Sequence, residues 1–147
     1  MKRLHISISV SQLDDSIAFY SSLFAEKPSV VHDGYAKWLL DDPRVNFVIE
    51  QSTKKTGLTH AGIQTEDAVE LNEMFERMQT ADAPYLAEGT TTCCYAKSDK
   101  SWTTDPDGLP WEAFLTHHQI EHQIEDQKED RQISNDGCVL DCCQICS

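Results

Sequence analysis

The first 92 residues of this chain contain no cysteine, and basic side chains are scarce throughout. Twelve Lys and Arg against 25 Asp and Glu give a net charge of −13. This charge argues against nucleic acid or an anionic membrane as a partner, because either is normally bound through a basic face. Since no apolar run reaches the length of a signal peptide or a membrane span, we expect a cytoplasmic protein.

Six cysteines in 147 residues are too few for a disulfide scaffold. In a reducing compartment, clustered cysteines more often bind metal or take part in catalysis. The adjacent pair Cys93-Cys94 is also a poor disulfide, because neighbouring Cα atoms lie about 3.8 Å apart and an unstrained bridge needs about 4.4–6.8 Å. Two such thiols can chelate one soft centre, such as trivalent arsenic, cadmium or zinc. The alternative is a pair of small buried hydrophobes.

Hydrophobic periodicity predicts the elements of the first half. Residues 4–10 alternate between apolar and polar side chains, which indicates a half-buried strand. Ser11-x-x-Asp14 then predicts a helix with its N-cap at Ser11 and an apolar stripe down to Phe24. Short strands are expected at 29–32, 35–40 and 45–50, separated by turn residues.

The second half repeats this order. A strand is expected at 58–64, followed by a helix capped by Asp67 and by strands near 84–88, 92–96, 101–104 and 110–115. The order predicts an α+β fold of two βαβββ modules, at about 1–52 and 57–116. Each module alone would expose one face of its sheet, so we expect the two to form an incomplete barrel around a cavity.

The chain changes composition after residue 116. Residues 117–147 are rich in Gln, Glu and Asp, which predicts a flexible acidic tail. The tail ends in four clustered cysteines, which are Cys138, Cys142, Cys143 and Cys146. They form a candidate auxiliary soft-metal cluster that captures arsenite or an incoming metal. A zinc site lacks the usual two-knuckle spacing, and a tail with no role in turnover stays open.

Strand parity singles out His5, His60 and Glu112. Each histidine lies near the start of the strand that opens a module, and Glu112 lies in the last strand. If both modules curl around one cavity, the three side chains converge inside it. Two histidines and one carboxylate form the facial triad of non-haem Fe(II) oxygenases, which leaves coordination positions open. For each residue alone, an ordinary strand position without catalytic role is the alternative.

A longer set of motifs resembles a known family over roughly residues 1–116. The chain resembles the vicinal oxygen chelate superfamily (glyoxalase, bleomycin resistance and dioxygenase proteins). Within it, the chain is similar to the ArsI/CadI group of organoarsenical C–As lyases and cadmium-induced proteins. The motifs are Lys2-Arg3-Leu4-His5, Asp15-Ser16-Ile17-Ala18-Phe19-Tyr20, Tyr35-Ala36-Lys37-Trp38, Asp42-Pro43-Arg44-Val45-Asn46-Phe47, Gly62-Ile63-Gln64, Thr91-Thr92-Cys93-Cys94-Tyr95-Ala96-Lys97-Ser98-Asp99-Lys100, Asp105-Pro106-Asp107-Gly108 and Trp111-Glu112.

The resemblance implies a non-haem Fe(II)-dependent, dioxygenase-type C–As lyase. It implies Fe(II) held by His5, His60 and Glu112, and arsenic held by Cys93 and Cys94. The implied reaction is O2-dependent cleavage of trivalent organoarsenicals, such as methylarsonous acid or trivalent aromatic arsenicals, to arsenite, which gives arsenical resistance. The implied partners are therefore a small organoarsenical and O2, without nucleic acid or membrane, and a homodimer is left open.

Consecutive side chains of a regular strand point to opposite faces, so Cys93 and Cys94 must lie in a loop, bulge or turn to bind one arsenic. Lys97 and Lys100 would lower the thiol pKa if they lie close by. Two other functions remain open. One is a cadmium- or arsenic-inducible sequestration protein without turnover. The other is a glyoxalase-type isomerase or antibiotic-modifying protein, which has no evident use for the thiol pair.

Overall fold

The computed structural model describes residues 1–81, 84–93 and 96–119, and the fold in this part is α+β, as predicted. Module 1 consists of β1 (Arg3–Val10), α1 (Leu13–Phe24), β2 (Val30–His32), β3 (Tyr35–Asp41) and β4 (Arg44–Gln51). Module 2 consists of β5 (Gly57–Thr65), α2 (Ala68–Thr80), β6 (Tyr85–Cys93), β7 (Ala96–Thr104) and β8 (Pro110–Gln119).

The eight strands form one open sheet in the order β2-β3-β4-β1-β5-β8-β7-β6. The two modules meet at the antiparallel pair β1–β5, and each of these strands also has a parallel neighbour, β4 for β1 and β8 for β5. The four central strands therefore carry residues of both modules side by side.

The outer face of the sheet, which the helices cover, holds the largest apolar cluster. Its buried members are Val10, Ala36, Trp38, Leu40, Phe47 and Ile49, and the apolar stripe of α1 packs against them. The aromatic ring of Tyr20 lies 4.6 Å from that of Phe47, measured between centroids. Because side chains alternate along a strand, the residues between these positions face the opposite, inner face of the sheet.

The two helices begin differently. The side chain of Asp67 accepts a 2.8 Å hydrogen bond from the backbone N–H of Glu70, which confirms the predicted cap of α2. The predicted cap of α1 at Ser11 is wrong, because the residue that precedes this helix is Gln12 in extended conformation and makes no side-chain cap bond. The sequence pattern places a good capping residue one position too early, since the helix starts only at Leu13.

The second module also differs from the prediction in its strands. Three strands were expected near 84–88, 92–96 and 101–104, but the structure describes two in this region. Strand β6 covers Tyr85–Cys93 and strand β7 covers Ala96–Thr104, so no separate strand occurs among the described residues near 92–96. Strand β8 continues to Gln119, so it includes the first three residues of the predicted tail. The predicted flexible tail otherwise lies outside the described residues. Within the described part, no helix has the length and apolar character to cross a membrane.

Candidate metal centre

The three residues singled out by parity lie on adjacent strands β1, β5 and β8, and the structure brings their ligand atoms together. His5 Nε2 lies 3.1 Å from His60 Nε2 and 3.1 Å from Glu112 Oε1. His60 Nε2 lies 3.6 Å from the same carboxylate oxygen. Bonds of about 2.1 Å at right angles on one metal ion would separate two ligand atoms by about 3.0 Å. The spacing therefore fits a shared cation.

The Nδ1 atom of each imidazole, on the side of the ring away from the centre, already makes a hydrogen bond. His5 Nδ1 lies 3.1 Å from the backbone carbonyl oxygen of Asn46, which can only accept, so Nδ1 donates. His60 Nδ1 lies 3.2 Å from Thr59 Oγ1. This hydroxyl donates its proton to the carbonyl of Ser7 at 3.0 Å, so it accepts from His60.

Both Nε2 atoms therefore present lone pairs to the carboxylate of Glu112. Three acceptors converge with no proton to share among them, and a cation is the group that satisfies all three. The residues thus fit a divalent metal ion through the chemistry of their donor atoms. An irregularity of the β1–β5 pairing next to Ser7 positions Thr59 for its part in this arrangement.

Burial and neighbouring charges set the protonation states of His5 and Glu112. His5 is 5% exposed, and burial lowers its pKa to about 4, so its ring is neutral near pH 7. Burial alone would raise the pKa of Glu112, but the His60 ring and the Lys100 ammonium outweigh it and hold the pKa at about 2. A neutral imidazole at His5 and an ionised carboxylate at Glu112 are the forms that bind a metal ion.

Lys100 orients the carboxylate. Its Nζ lies 3.2 Å from Glu112 Oε2, the oxygen that does not face the histidines, and 5.5 Å from the ring centroid of Phe114. One carboxylate oxygen is thereby engaged by the lysine while the other remains directed at the centre. Lys100 was expected to lower the thiol pKa if it lay close to the cysteines, whereas the structure places its ammonium group on the acidic ligand.

Gly62 makes room for Glu112. A Cβ atom at this position would lie 2.6 Å from Glu112 Cγ and 2.7 Å from the Glu112 carbonyl oxygen, distances that real Cβ atoms do not show. The sequence pattern marks Gly62 only as part of a motif and does not indicate this role. Nor does it indicate the supporting roles of Asn46 and Thr59. The only local signal was the position of Gly62 and Thr59 beside His60.

Buried polar atoms without partners surround the centre. Within the described ranges these atoms are Ser7 Oγ, Asn46 Oδ1 and Trp102 Nε1. By strand register, Ser7 lies opposite His60, Asn46 beside His5, and Trp102 opposite Glu112. The Trp102 ring also packs edge-on against that of His60, with centroids 5.2 Å apart. Since buried polar groups normally have partners, their clustering indicates that a polar ligand belongs here.

Of the predicted thiol pair, the structure describes only the backbone of Cys93. Cys93 is the last residue of β6; it pairs with Ala96, which pairs with Gln119. Gln119 lies seven residues beyond Glu112 on β8, which corresponds to roughly 23 Å along an extended strand. Cys94 and the predicted tail cluster of Cys138, Cys142, Cys143 and Cys146 lie outside the described residues, so their roles stay predictions.

Comparisons with known proteins agree with this fold. Residues 2–113 match the family described as Glyoxalase/Bleomycin resistance protein/Dioxygenase superfamily. The chain is 40% identical over 124 residues to a "Trivalent organoarsenical cleaving enzyme" of Bacillus sp. strain MD1, covering 82% of this chain and 77% of that protein. It is 32% identical over 115 residues to the "Cadmium-induced protein CadI" of Mycobacterium bovis, covering 78% of this chain and 76% of that protein.

Solved structures share the fold at low sequence identity. An extradiol ring-cleaving dioxygenase from B. fuscum is 16% identical with a TM-score of 0.60, over 81% of this chain and 34% of that one. A Mn(II)-bound glyoxalase from Novosphingobium aromaticivorans is 14% identical with a TM-score of 0.58, over 78% of this chain and 40% of that one.

Proposed function

The chain belongs to the Glyoxalase/Bleomycin resistance protein/Dioxygenase superfamily, and from this premise we propose that it cleaves the C–As bond of trivalent organoarsenicals. The observation that carries the proposal is the convergence of two unprotonated imidazole nitrogens and one carboxylate oxygen on a single point. The name of the Bacillus relative supports arsenic as the element acted on.

We propose Fe(II) as the metal that His5, His60 and Glu112 hold. Two imidazoles and one carboxylate are the ligand set of non-haem Fe(II) oxygenases. When bound, Fe(II) supplies the one-electron chemistry that lets O2 react with a closed-shell carbon compound. The protein contributes the fixed ligand directions, through Asn46 and Thr59 behind the imidazoles and Lys100 behind the carboxylate.

The repeat explains why three protein ligands are present and not four. His5 pairs with Gly62 across β1–β5, and His60 pairs with Ser7. If module 1 is superimposed on module 2 so that His5 lies on His60, Ser7 therefore lies on Gly62. The parallel neighbour of Gly62 is Glu112, and that of Ser7 is Val48. Val48 thus occupies the position in module 1 that Glu112 occupies in module 2.

An isopropyl group cannot ligate a metal ion, so Val48 leaves the position equivalent to Glu112 without a protein ligand. Val48 is 5% exposed and is absent from the outer apolar cluster, as expected for an inner-face residue. The vacancy favours chemistry in which exogenous ligands bind at the centre. Open positions for O2 and substrate are what the two-histidine, one-carboxylate oxygenases require, so the vacancy supports oxygenase chemistry.

For the substrate, we propose that Cys93 and Cys94 hold arsenic. A trivalent organoarsenical carries two exchangeable oxygens on arsenic, so two thiols replace both and leave the carbon substituent free. Because Cys93 lies at the end of β6, the tip of the β6–β7 hairpin must approach the inner face to deliver its cargo. This approach is part of the proposal.

The overall reaction balances with O2 alone. Methylarsonous acid, CH3As(OH)2, and one O2 give arsenous acid, As(OH)3, and formaldehyde, CH2O. The carbon–arsenic bond breaks, carbon is oxidised, both oxygen atoms enter the products, and no external reductant is needed. The buried surroundings of Glu112 and His5 limit the access of bulk water to the centre.

The test is turnover after anaerobic reconstitution with Fe(II). We expect methylarsonous acid to be converted to arsenite and formaldehyde in equal amounts only after O2 is admitted. His60→Ala removes a ligand and Cys93→Ser removes one thiol, so both should abolish release. His32→Ala, a histidine outside the centre, is the matched control and should retain it.

A second candidate function is capture of arsenic or cadmium without turnover, which the name of the Mycobacterium bovis relative favours. In that case the protein retains the arsenical in a fixed stoichiometry, with no product after O2 is admitted. Retention of this kind that depends on Cys93 but not on His60 would establish capture and reject the lyase.

A further inference from the structure

A half-buried cation on the inner face of module 1 has no part in the metal centre. Lys37 lies on β3, opposite Val48 of β4. Val48 in turn lies beside Ser7 of β1, which lies opposite His60 of β5. Four adjacent strands therefore carry these residues in one row across the sheet. We name the first three, Lys37, Val48 and Ser7, the Lys37 row.

The ammonium group of Lys37 has no counter-ion among the residues that the structure describes. Ser29 donates two hydrogen bonds to Lys37, and both go to the backbone carbonyl and not to the ammonium group. Desolvation lowers the pKa of Lys37 below its ordinary value of 10.5. A charge that is partly withdrawn from water without a partner is unfavourable, and a bound anion would relieve that cost.

The other end of the row offers a second donor. Ser7 is 1% exposed, and its hydroxyl has no hydrogen-bond partner within the described ranges. Between Ser7 and Lys37 lies the buried isopropyl group of Val48. The row thus presents a cation, an apolar surface and a hydroxyl donor, each on a neighbouring strand about 4.8 Å from the next.

We propose that the Lys37 row binds the acidic group, a carboxylate or a phenolate, of an organoarsenical whose carbon substituent carries one. An ammonium can only donate, and an acidic oxygen is the acceptor that matches both its charge and the free hydroxyl. The apolar side chain of Val48 suits the hydrocarbon part of such a substituent. The assignment of the acid to a substrate rests on the proposed function.

The position of the Lys37 row explains how the acidic end and the arsenic end of such a substrate bind at the same time. His60 continues the row on the next strand, so an acid held by Lys37 and Ser7 places its hydrocarbon part beside the metal ligands. Arsenic is proposed to arrive from module 2 on the β6–β7 hairpin. The acidic end and the arsenic end would then lie on opposite sides of the centre, with the carbon–arsenic bond between them.

The first arm of the test measures anion binding without turnover. Full-length protein loaded with Zn(II) is titrated with benzoate and with benzyl alcohol, its neutral analogue, by calorimetry. We expect benzoate to bind at least tenfold more tightly than benzyl alcohol, Lys37→Met to lose that preference, and Lys37→Arg to keep it within threefold. Lys54→Met, which removes an exposed lysine, is the matched control. Equal benzoate binding by the wild type and Lys37→Met, or none by either, overturns the inference.

The second arm asks whether the anion is part of the substrate. The ratio of kcat/KM for 4-carboxyphenylarsonous acid to that for phenylarsonous acid is measured with the Fe(II)-loaded protein. We expect Lys37→Met to lower this ratio about tenfold, mainly through KM, and Ser7→Ala to lower it about threefold. Turnover of both compounds with a ratio that Lys37→Met leaves unchanged shows a site for free acids only and rejects the substrate assignment.

The two proposals fail separately. If neither arsenical is cleaved but benzoate binding depends on Lys37, the lyase is rejected while the anion site is upheld. If both arsenicals are cleaved but benzoate binding does not depend on Lys37, the lyase is upheld and the anion site is rejected.

Discussion

Module 1 and module 2 repeat the same order of elements, yet they place different side chains at equivalent positions of the inner face. Ser7 corresponds to Gly62, and Val48 corresponds to Glu112. Of the three pairs of positions compared, the histidines His5 and His60 are the pair that is the same in both modules. Module 2 therefore supplies the charged ligand, whereas module 1 supplies an apolar surface and unsatisfied donors.

This difference suggests how a duplicated sheet acquires a reactive centre. Two symmetric halves would surround a metal ion with four similar ligands and leave less room for a substrate. The absence of a carboxylate in module 1 leaves a coordination position open on that side of the metal ion. Module 2 provides the single carboxylate, Glu112, which Lys100 holds by a hydrogen bond. The asymmetry can be tested by making the modules more alike.

The largest effect is expected from changes at the position that distinguishes the two halves. Glu112→Val removes the carboxylate and should lower turnover by on the order of a thousandfold, together with metal affinity. Val48→Glu adds a fourth ligand and should retain the metal while lowering O2-dependent turnover by on the order of a hundredfold. The measurements are metal content and arsenite release.

Val48→Gln is a matched control for Val48→Glu, since it has nearly the same volume and no charge. If Val48→Gln and Val48→Glu lower turnover equally, steric crowding and not ligation explains the loss. In that case the vacant position inferred from the repeat has no functional role.

The next effect concerns the small residues Ser7 and Gly62. Gly62→Ala forces a methyl group against Glu112 and should lower the free energy of unfolding by about 2 kcal/mol. Ser7→Ala removes a hydroxyl without a partner and should change that free energy by less than about 0.5 kcal/mol. Urea denaturation of both variants measures the contrast. A Gly62→Ala protein as stable as the wild type would mean that the backbone relaxes easily here.

The pH dependence of stability should reveal the burial of His5 in module 1. The folded pKa of about 4 lies below the ordinary value of 6.5, so between these values the unfolded chain binds a proton that the folded chain does not. Stability therefore falls as the pH drops through this range, by about 2 kcal/mol from neutral pH to about pH 5. Glu112 adds a further loss below pH 4.5, its ordinary pKa, because its folded pKa is about 2.

Urea denaturation of the chelator-treated protein at neutral pH and at about pH 5 tests this expectation. His5→Gln removes the titrating ring and should lose most of the dependence between the two pH values. A wild-type protein whose stability is the same at both would show that His5 is not buried as a neutral ring.

The smallest effect concerns the starts of the helices, which also differ between modules. Asp67→Ala in module 2 should cost about 1 kcal/mol of unfolding free energy, because the Glu70 N–H loses its acceptor. Gln12→Asp in module 1 should gain about 0.5 kcal/mol, because α1 has no side-chain cap. Thermal denaturation measures both, with Asp67→Asn as the control that keeps an acceptor. A Gln12→Asp protein no more stable than the wild type would indicate that Asp14 and Asp15 already satisfy this helix start.

Local patterns predicted much of this fold. Period-two alternation placed His5, His60 and Glu112 on one face of their strands, and the cap at Asp67 was correctly predicted. The errors arose where the local signal was ambiguous. Ser11 and Gln12 both precede a helical stripe, and the polar run between Gly89 and Ser101 does not show where β6 ends and β7 begins.

The element order, the duplication and the residue types of the centre follow from local patterns, because side-chain periodicity and turn residues act over a few positions. The neighbours of each strand are known only from the folded chain, and with them the support of Glu112 by Lys100, the room that Gly62 gives it, and its counterpart Val48. These relations join residues far apart in the chain through backbone pairing, and no local pattern contains the register of that pairing.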